Sequence, residues 1–258
     1  MVPARRPSDA PHPGASDTLR RNCLRLTVAT AIAILMAPRG IAWAAPCSFP
    51  LAQTSGDSCD DLTVTDGQSG SVTNAGTIGV GANDAITVNN GGTITNLTNS
   101  GIITGLTSNG IFSQGTISSL ANSGTITGAG YGFQSLGGTI GSLTNSGSIL
   151  GLGPTFGGIA IQAGLHGSLT NNASGTISGN IGILFQLSLN TTVINSGTIT
   201  GSLYGIANPN GMIDALINDA GATITGGTRG ISSEGTIGVL TNSGAIAGST
   251  YGIFHQFE

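Results

Sequence analysis

Leu120-Ala121-Asn122-Ser123-Gly124-Thr125-Ile126, then Tyr131-Gly132-Phe133 and Gly138-Thr139-Ile140, make one unit of a repeat that reopens at Leu143-Thr144-Asn145. Its asparagine recurs as Asn74, Asn99, Asn122, Asn145, Asn171, Asn195, Asn218 and Asn242, at intervals of 23 to 26 residues. A period of that length with no helix-forming segment inside it predicts a solenoid, in which each coil buries its apolar face only against its neighbours. Three short β-branched phrases, parted by Gly, Asn and Ser, predict three strands per coil. The expectation is an all-β chain, a right-handed parallel β-helix of about eight coils, because parallel crossovers are right-handed in nearly all proteins.

Alternate side chains of a strand point to opposite faces, so the recurrent Ile or Leu is expected inside and the adjacent Thr or Ser outside. Stacked coils set like on like at about 4.8 Å, which makes eight coils a rod of about 38 Å. The eight asparagines then form a ladder at one corner, amide to amide, and the glycines are expected at corners that need positive φ. Propeller blades need about 40 to 45 residues per repeat, leucine-rich repeats need more leucine, and calcium-binding nonapeptide repeats need a regular aspartate. Collagen needs glycine at every third position. None of these patterns is present.

The first 44 residues have the pattern of an export signal. Arg20, Arg21 and Arg25 precede an apolar run from Leu26 to Ala37, too short to span a bilayer, and Ala42-Trp43-Ala44 supplies a small-x-small cleavage pattern. Arg20-Arg21-Asn22-Cys23-Leu24-Arg25 partly resembles a twin-arginine signal, so a general secretory route and a twin-arginine route both stay open. The domain reading is a signal with an extended basic region over 1–44, a disulfide-stapled cap over 45–66, and β-helical repeats over 67–258 with the last coil incomplete. Cys47 and Cys59, the pair left after the signal, are expected to form one disulfide in an oxidising compartment; a metal site there lacks any nearby histidine.

Six of the seven arginines fall in the signal and the chain has no lysine. Beyond it, Arg229 faces nine acids, a formal charge of −8. That composition excludes nucleic acid, whose phosphates it could not neutralise, and equally an anionic membrane surface. The acids scatter. Asp214 falls opposite Gly238, Asp219 opposite Ser243 and Glu234 opposite Asn210, so no two carboxylates share a phase on neighbouring coils, as a glycosidase pair would require. Asp214 and Glu234 are the one pair left with a route to each other. His166 and His255 have no acid or cysteine at ligand spacing, and no catalytic residue, metal site or cofactor is expected.

One slot stands out. Tyr131, Tyr204 and Tyr251 each sit directly before the glycine of the second phrase, and Arg229 takes that slot between the last two. Stacking predicts a column with Arg229 sandwiched between Tyr204 and Tyr251. The column reads either as a ladder that covers backbone or as a ligand-contact strip. Leu150 to Phe156 and Leu184 to Leu189 break the period and are expected to protrude, and binding tends to reside in loops that leave a rigid scaffold.

The signal segment, the cysteine pair and the Leu-Thr-Asn-Ser-Gly-Thr-Ile-Thr-Gly coils resemble the N-terminal passenger region of Gram-negative autotransporters. The resemblance covers nearly the whole chain and implies a non-enzymatic stalk and adhesive surface, secreted or on the cell surface. Its implied partners are surface glycans or proteins and an outer-membrane β-barrel translocator. The chain itself has no such barrel and stops within its eighth coil at Tyr251 to Glu258, which reads as a truncated or split passenger. An unfinished coil also predicts end-to-end self-association. The alternatives are a polysaccharide lyase or hydrolase on the same scaffold, and a nonfunctional truncated remnant.

Overall fold

The computed structural model describes residues 44–79, 81, 83–162, 164–187 and 191–256. The export signal therefore lies outside the described residues apart from Ala44. Every described regular element is a strand, and every pairing is parallel, each strand beside its equivalent one coil away. The architecture is a parallel β-helix.

In one coil the three strands are Thr116–Asn122, Thr125–Gly128 and Phe133–Ser135. The phrase Leu120 to Ile126, which looks like one side in sequence, bends at Asn122-Ser123-Gly124. Conversely, Gly138-Thr139-Ile140 continues into Leu143-Thr144-Asn145 as part of one strand, Thr139–Asn145. Ile140 and Leu143 are three apart yet both fully buried. Alternation breaks between them, and the register to the next coil shifts at the same place, between Ile140 and Ser142. The nine strands of this first face form one sheet. The other sixteen form a second sheet over the remaining two faces, joined where Thr176–Phe185 and Thr198–Asn208 pass through the corner unbroken.

There are nine turns rather than eight. The extra one is the segment expected to be only a cap: Leu51–Gln53, Ser58–Cys59 and Leu62–Val64 pair with the strands of the next coil. Counting asparagines misses it because Gln53 stands in the asparagine slot, opposite Asn74. Ahead of it, the Asp60 N–H donates to the Ala45 carbonyl and the Cys47 N–H to the Asp61 carbonyl, both at 2.9 Å. Phe49 packs on the core. The Cys47–Cys59 disulfide is formed and fixes this cover across 12 residues; closing a loop of that size stabilises by about 3 kcal/mol in the chain-entropy model. The last coil also departs from expectation, since Thr236–Asn242, Ala245–Gly248 and Tyr251–His255 supply all three of its strands. What it lacks among the described residues is a layer on its outer side, so Leu240 and Ile253 are 37% and 45% exposed where their equivalents Leu216 and Ile231 are completely buried.

The core is a set of side-chain columns. Ile78, Ile103, Ile126, Ile149, Ile177, Ile199 and Ile224 are all completely buried along the second face, each contributing about 1.5–3 kcal/mol of transfer free energy. Two segments expected to protrude mostly do not. Leu150 and Gly151 pair with the coil before, and Leu184 and Phe185 are strand residues, Phe185 within the core. Only the corner at Leu152 to Phe156 and the turn at Leu187 leave the wall, with Leu152 and Leu187 each 63% exposed; residues 188 and 189 lie outside the described residues.

The glycine expectation needs correction. Gly101, Gly124 and Gly147, which follow the ladder asparagines, do not have positive φ; that conformation belongs instead to Gly67, Gly91, Gly137 and Gly164 at the corner before the first face, and to a few others. The ladder-side glycines answer to distance. A Cβ on any of the three would sit 2.1 Å from the carbonyl oxygen of the preceding coil's glycine.

Candidate functional site

The asparagine ladder is continuous from Asn74 to Asn242. Each Nδ2 donates to the next Oδ1 at 2.7 to 2.9 Å through Asn99, Asn122, Asn145, Asn171, Asn195 and Asn218. From Asn99 to Asn195 the same nitrogen also reaches the carbonyl of the glycine that follows it and that of a Thr or Ser on the next coil, as in Asn99 with Gly101 and Thr125. The ladder is structural, since its asparagines from Asn74 to Asn218 are 0 to 2% exposed. It adds a side-chain bond to corner carbonyls, such as those of Gly101, Gly124 and Gly147, that also accept a backbone N–H from the next coil.

A second polar corner was missed by the repeat reading. Ser113, Ser135, Asn208 and Ser233 are buried and in equivalent positions, and the serines donate to carbonyls of the turn that follows. His255 ends this column, its Nδ1 3.2 Å from the Ser233 carbonyl. Ile161 and Phe185 interrupt it with apolar side chains. The signal was in the sequence as a recurrent Ser or Asn two residues after the buried Ile or Phe. An outer amide row also escaped notice: Asn109 donates to Gln134, Gln134 to Gln162 and Gln162 to Gln186, at 3.1, 2.5 and 3.2 Å.

The tyrosine slot divides. Tyr204, Arg229 and Tyr251 do stack in register. Tyr131 lies apart from them, because Gly157 and Ile181 hold the slot on the coils between. Its ring meets Phe156 edge-on at 5.2 Å, and burial pushes its phenol pKa up. The expected sandwich also changes partner. The Arg229 guanidinium carbon lies 5.7 Å from the Tyr204 ring and 3.7 Å from that of Phe254, while Tyr251 leans on Phe254 at 5.6 Å and is half exposed. The reason is reach: the long Arg229 side chain runs along its own strand, where Nη1 donates to Ser232 Oγ at 3.0 Å, and so arrives beside Phe254, the next coil's equivalent of Ser232.

This geometry encloses a cleft of about 190 Å³ on the third face, lined by Ile181, Leu184, Tyr204, Ala207, Pro209, Arg229, Ser232 and Glu234. It exists because the outward positions shrink to Ala207 and Ser232 between Leu184 and Phe254. Arg229 Nε is buried with no hydrogen-bond partner, an uncommon condition for a charged donor.

The acids do not gather. Thr54 donates its N–H and hydroxyl to Asp57, both at 2.8 Å, and the backbone bond followed by the side-chain bond holds that carboxyl below the usual range. Asn109 donates to Asp84 and Ser196 to Asp219. Asp214 sits on the first face and Glu234 on the cleft, so the corner at Gly235 parts the one pair left open by the sequence. Among the described residues no three His, Cys, Asp or Glu side chains converge as a metal site; the side chain of His166 lies outside the described residues. No protein-family model matches the chain, and neither a curated protein nor a solved structure is significantly similar to it.

Proposed function

We propose that this protein is a non-enzymatic, exported rod that works as a stalk and adhesive surface, in the manner of an autotransporter passenger. The observation that carries this reading is the use made of the acids: Asp57, Asp84 and Asp219 each accept hydrogen bonds from neighbouring Thr, Asn or Ser, so they close turns and brace coils instead of facing one another across a cleft. Thr and Ser hydroxyls meanwhile repeat along the outside. Surface glycans or proteins are its proposed partners, with a β-barrel translocator to carry it. The test is to display the rod on an otherwise inert bacterium and measure attachment to glycan-coated and protein-coated surfaces, beside an assay for new reducing ends or unsaturated uronate on polysaccharides. Attachment without turnover is expected; turnover would make it a carbohydrate-active enzyme, and neither activity would favour a remnant.

A further inference from the structure

We propose that the cleft above Ala207 and Ser232 binds one carboxylate-bearing sugar ring, of the kind that terminates an acidic glycan. The inference rests on the adhesive-surface reading and deepens it. Arg229 supplies the first determinant. Phe254 stacks against the guanidinium at 3.7 Å and Tyr204 stands 5.7 Å away on another side, so a ligand meets the guanidinium along its N–H edge. That planar fork matches a carboxylate two bonds at a time. Nη1 donates one of its two hydrogens to Ser232, and Nε is buried, so the edge left to a carboxylate at the head of the cleft is the pair of terminal nitrogens, Nη1 and Nη2.

Charge limits what the rest of the ligand is. Arg229 is the sole cation after residue 44 in a segment of formal charge −8, so long-range repulsion, which grows with the ligand's charge, disfavours a polyanion far more than a neutral body with a single carboxylate. The lining then selects the body. Ile181, Leu184 and Pro209 offer apolar wall, the Tyr204 ring offers a face for the C–H side of a pyranose, and Glu234 offers two acceptor oxygens suited to a pair of vicinal hydroxyls. A peptide C-terminus shares the carboxylate but has no paired hydroxyls for Glu234. The volume of about 190 Å³ suits one ring and not two.

Saturation-transfer NMR on the purified protein decides the matter, with 3′-sialyllactose and methyl β-glucuronide as probes, their methyl esters and lactose as neutral controls, and N-acetylleucine as a carboxylate without a sugar. At least one carboxylate sugar is expected to bind, and its ester and lactose to bind about tenfold more weakly or not at all. Arg229→Gln is expected to remove binding and Glu234→Gln to weaken it. Equal binding of lactose, indifference to esterification, unchanged binding by Arg229→Gln, or binding of N-acetylleucine alone would each overturn the proposal. The ester comparison needs no variant, so a misfolded Arg229→Gln does not obscure the answer. Attachment of the displayed rod without binding of any of these sugars would sink this site and leave the adhesive reading standing; sugar binding without attachment would do the reverse.

Discussion

Replacing Asn145 with alanine is expected to destabilise the rod by about 4 kcal/mol, well beyond the usual range for a single substitution. Asn145 is completely buried, receives a bond from Asn122, and donates to Asn171 Oδ1, the Gly147 carbonyl and the Thr176 carbonyl. Alanine removes all four bonds: Asn171 Oδ1 loses its side-chain donor, Asn122 Nδ2 its side-chain acceptor, and the Gly147 and Thr176 carbonyls one bond each, the Gly147 oxygen keeping the Thr176 N–H. A buried polar group left unpaired costs about 1–3 kcal/mol, and the cavity adds to it. Neighbouring coils cannot close the gap, because their spacing is set by the strand ladders on all three faces. Asn242, at the exposed end of the ladder, accepts one bond from Asn218 and braces nothing beyond itself among the described residues. Asn242→Ala should therefore cost about 1 kcal/mol or less. Urea denaturation of the two variants checks the contrast; equal effects would mean that the ladder is a by-product of stacking rather than a support.

A comparable loss, about 3 kcal/mol or more, is expected for Gly147→Ala. The added methyl would stand 2.1 Å from the Gly124 carbonyl oxygen, and that oxygen already accepts the Ser148 N–H at 2.9 Å. The two backbones cannot part without breaking that bond and the ladder bond beside it. Gly137→Ala is the control. Its φ of +85° is unfavourable for alanine, but a Cβ there would meet nothing within 4 Å, so a loss of about 1 kcal/mol is expected. A solenoid is held by nearest-neighbour interfaces, so a lesion in the middle should also divide the unfolding transition, the stapled N-terminal coils outlasting the rest. A single transition shifted no further than in Gly137→Ala would refute the steric account.

The contrast between these two glycines shows where repeat reading stops. Both lie at corners and both invite the same explanation, yet Gly137 is needed for its own backbone angle and Gly147 for the backbone of the coil beside it. Nothing local to Ser146-Gly147-Ser148 announces that neighbour. Gln53 is a similar case: it occupies the ladder slot of a coil whose spacing and composition differ from the rest, and only its pairing with Asn74 reveals a ninth turn.

Period and alternation were enough to determine the architecture, the buried isoleucines and the partners of each ladder asparagine, because in a stacked helix every long-range contact is the same contact displaced by one repeat. The slot shared by Tyr204, Arg229 and Tyr251 was legible for the same reason. Three dimensions were required to decide where the long side chains of that slot end. Arg229 is free to lie along its strand or across it, and it settles on Phe254 because Ser232 anchors one nitrogen and small residues leave room. The cleft is likewise a product of heights, not of motifs: Ala207 and Ser232 are unremarkable letters until Leu184, Tyr204, Pro209 and Glu234 rise around them. Backbone register follows from repetition, while side-chain conformation and surface relief depend on neighbours from three coils at once.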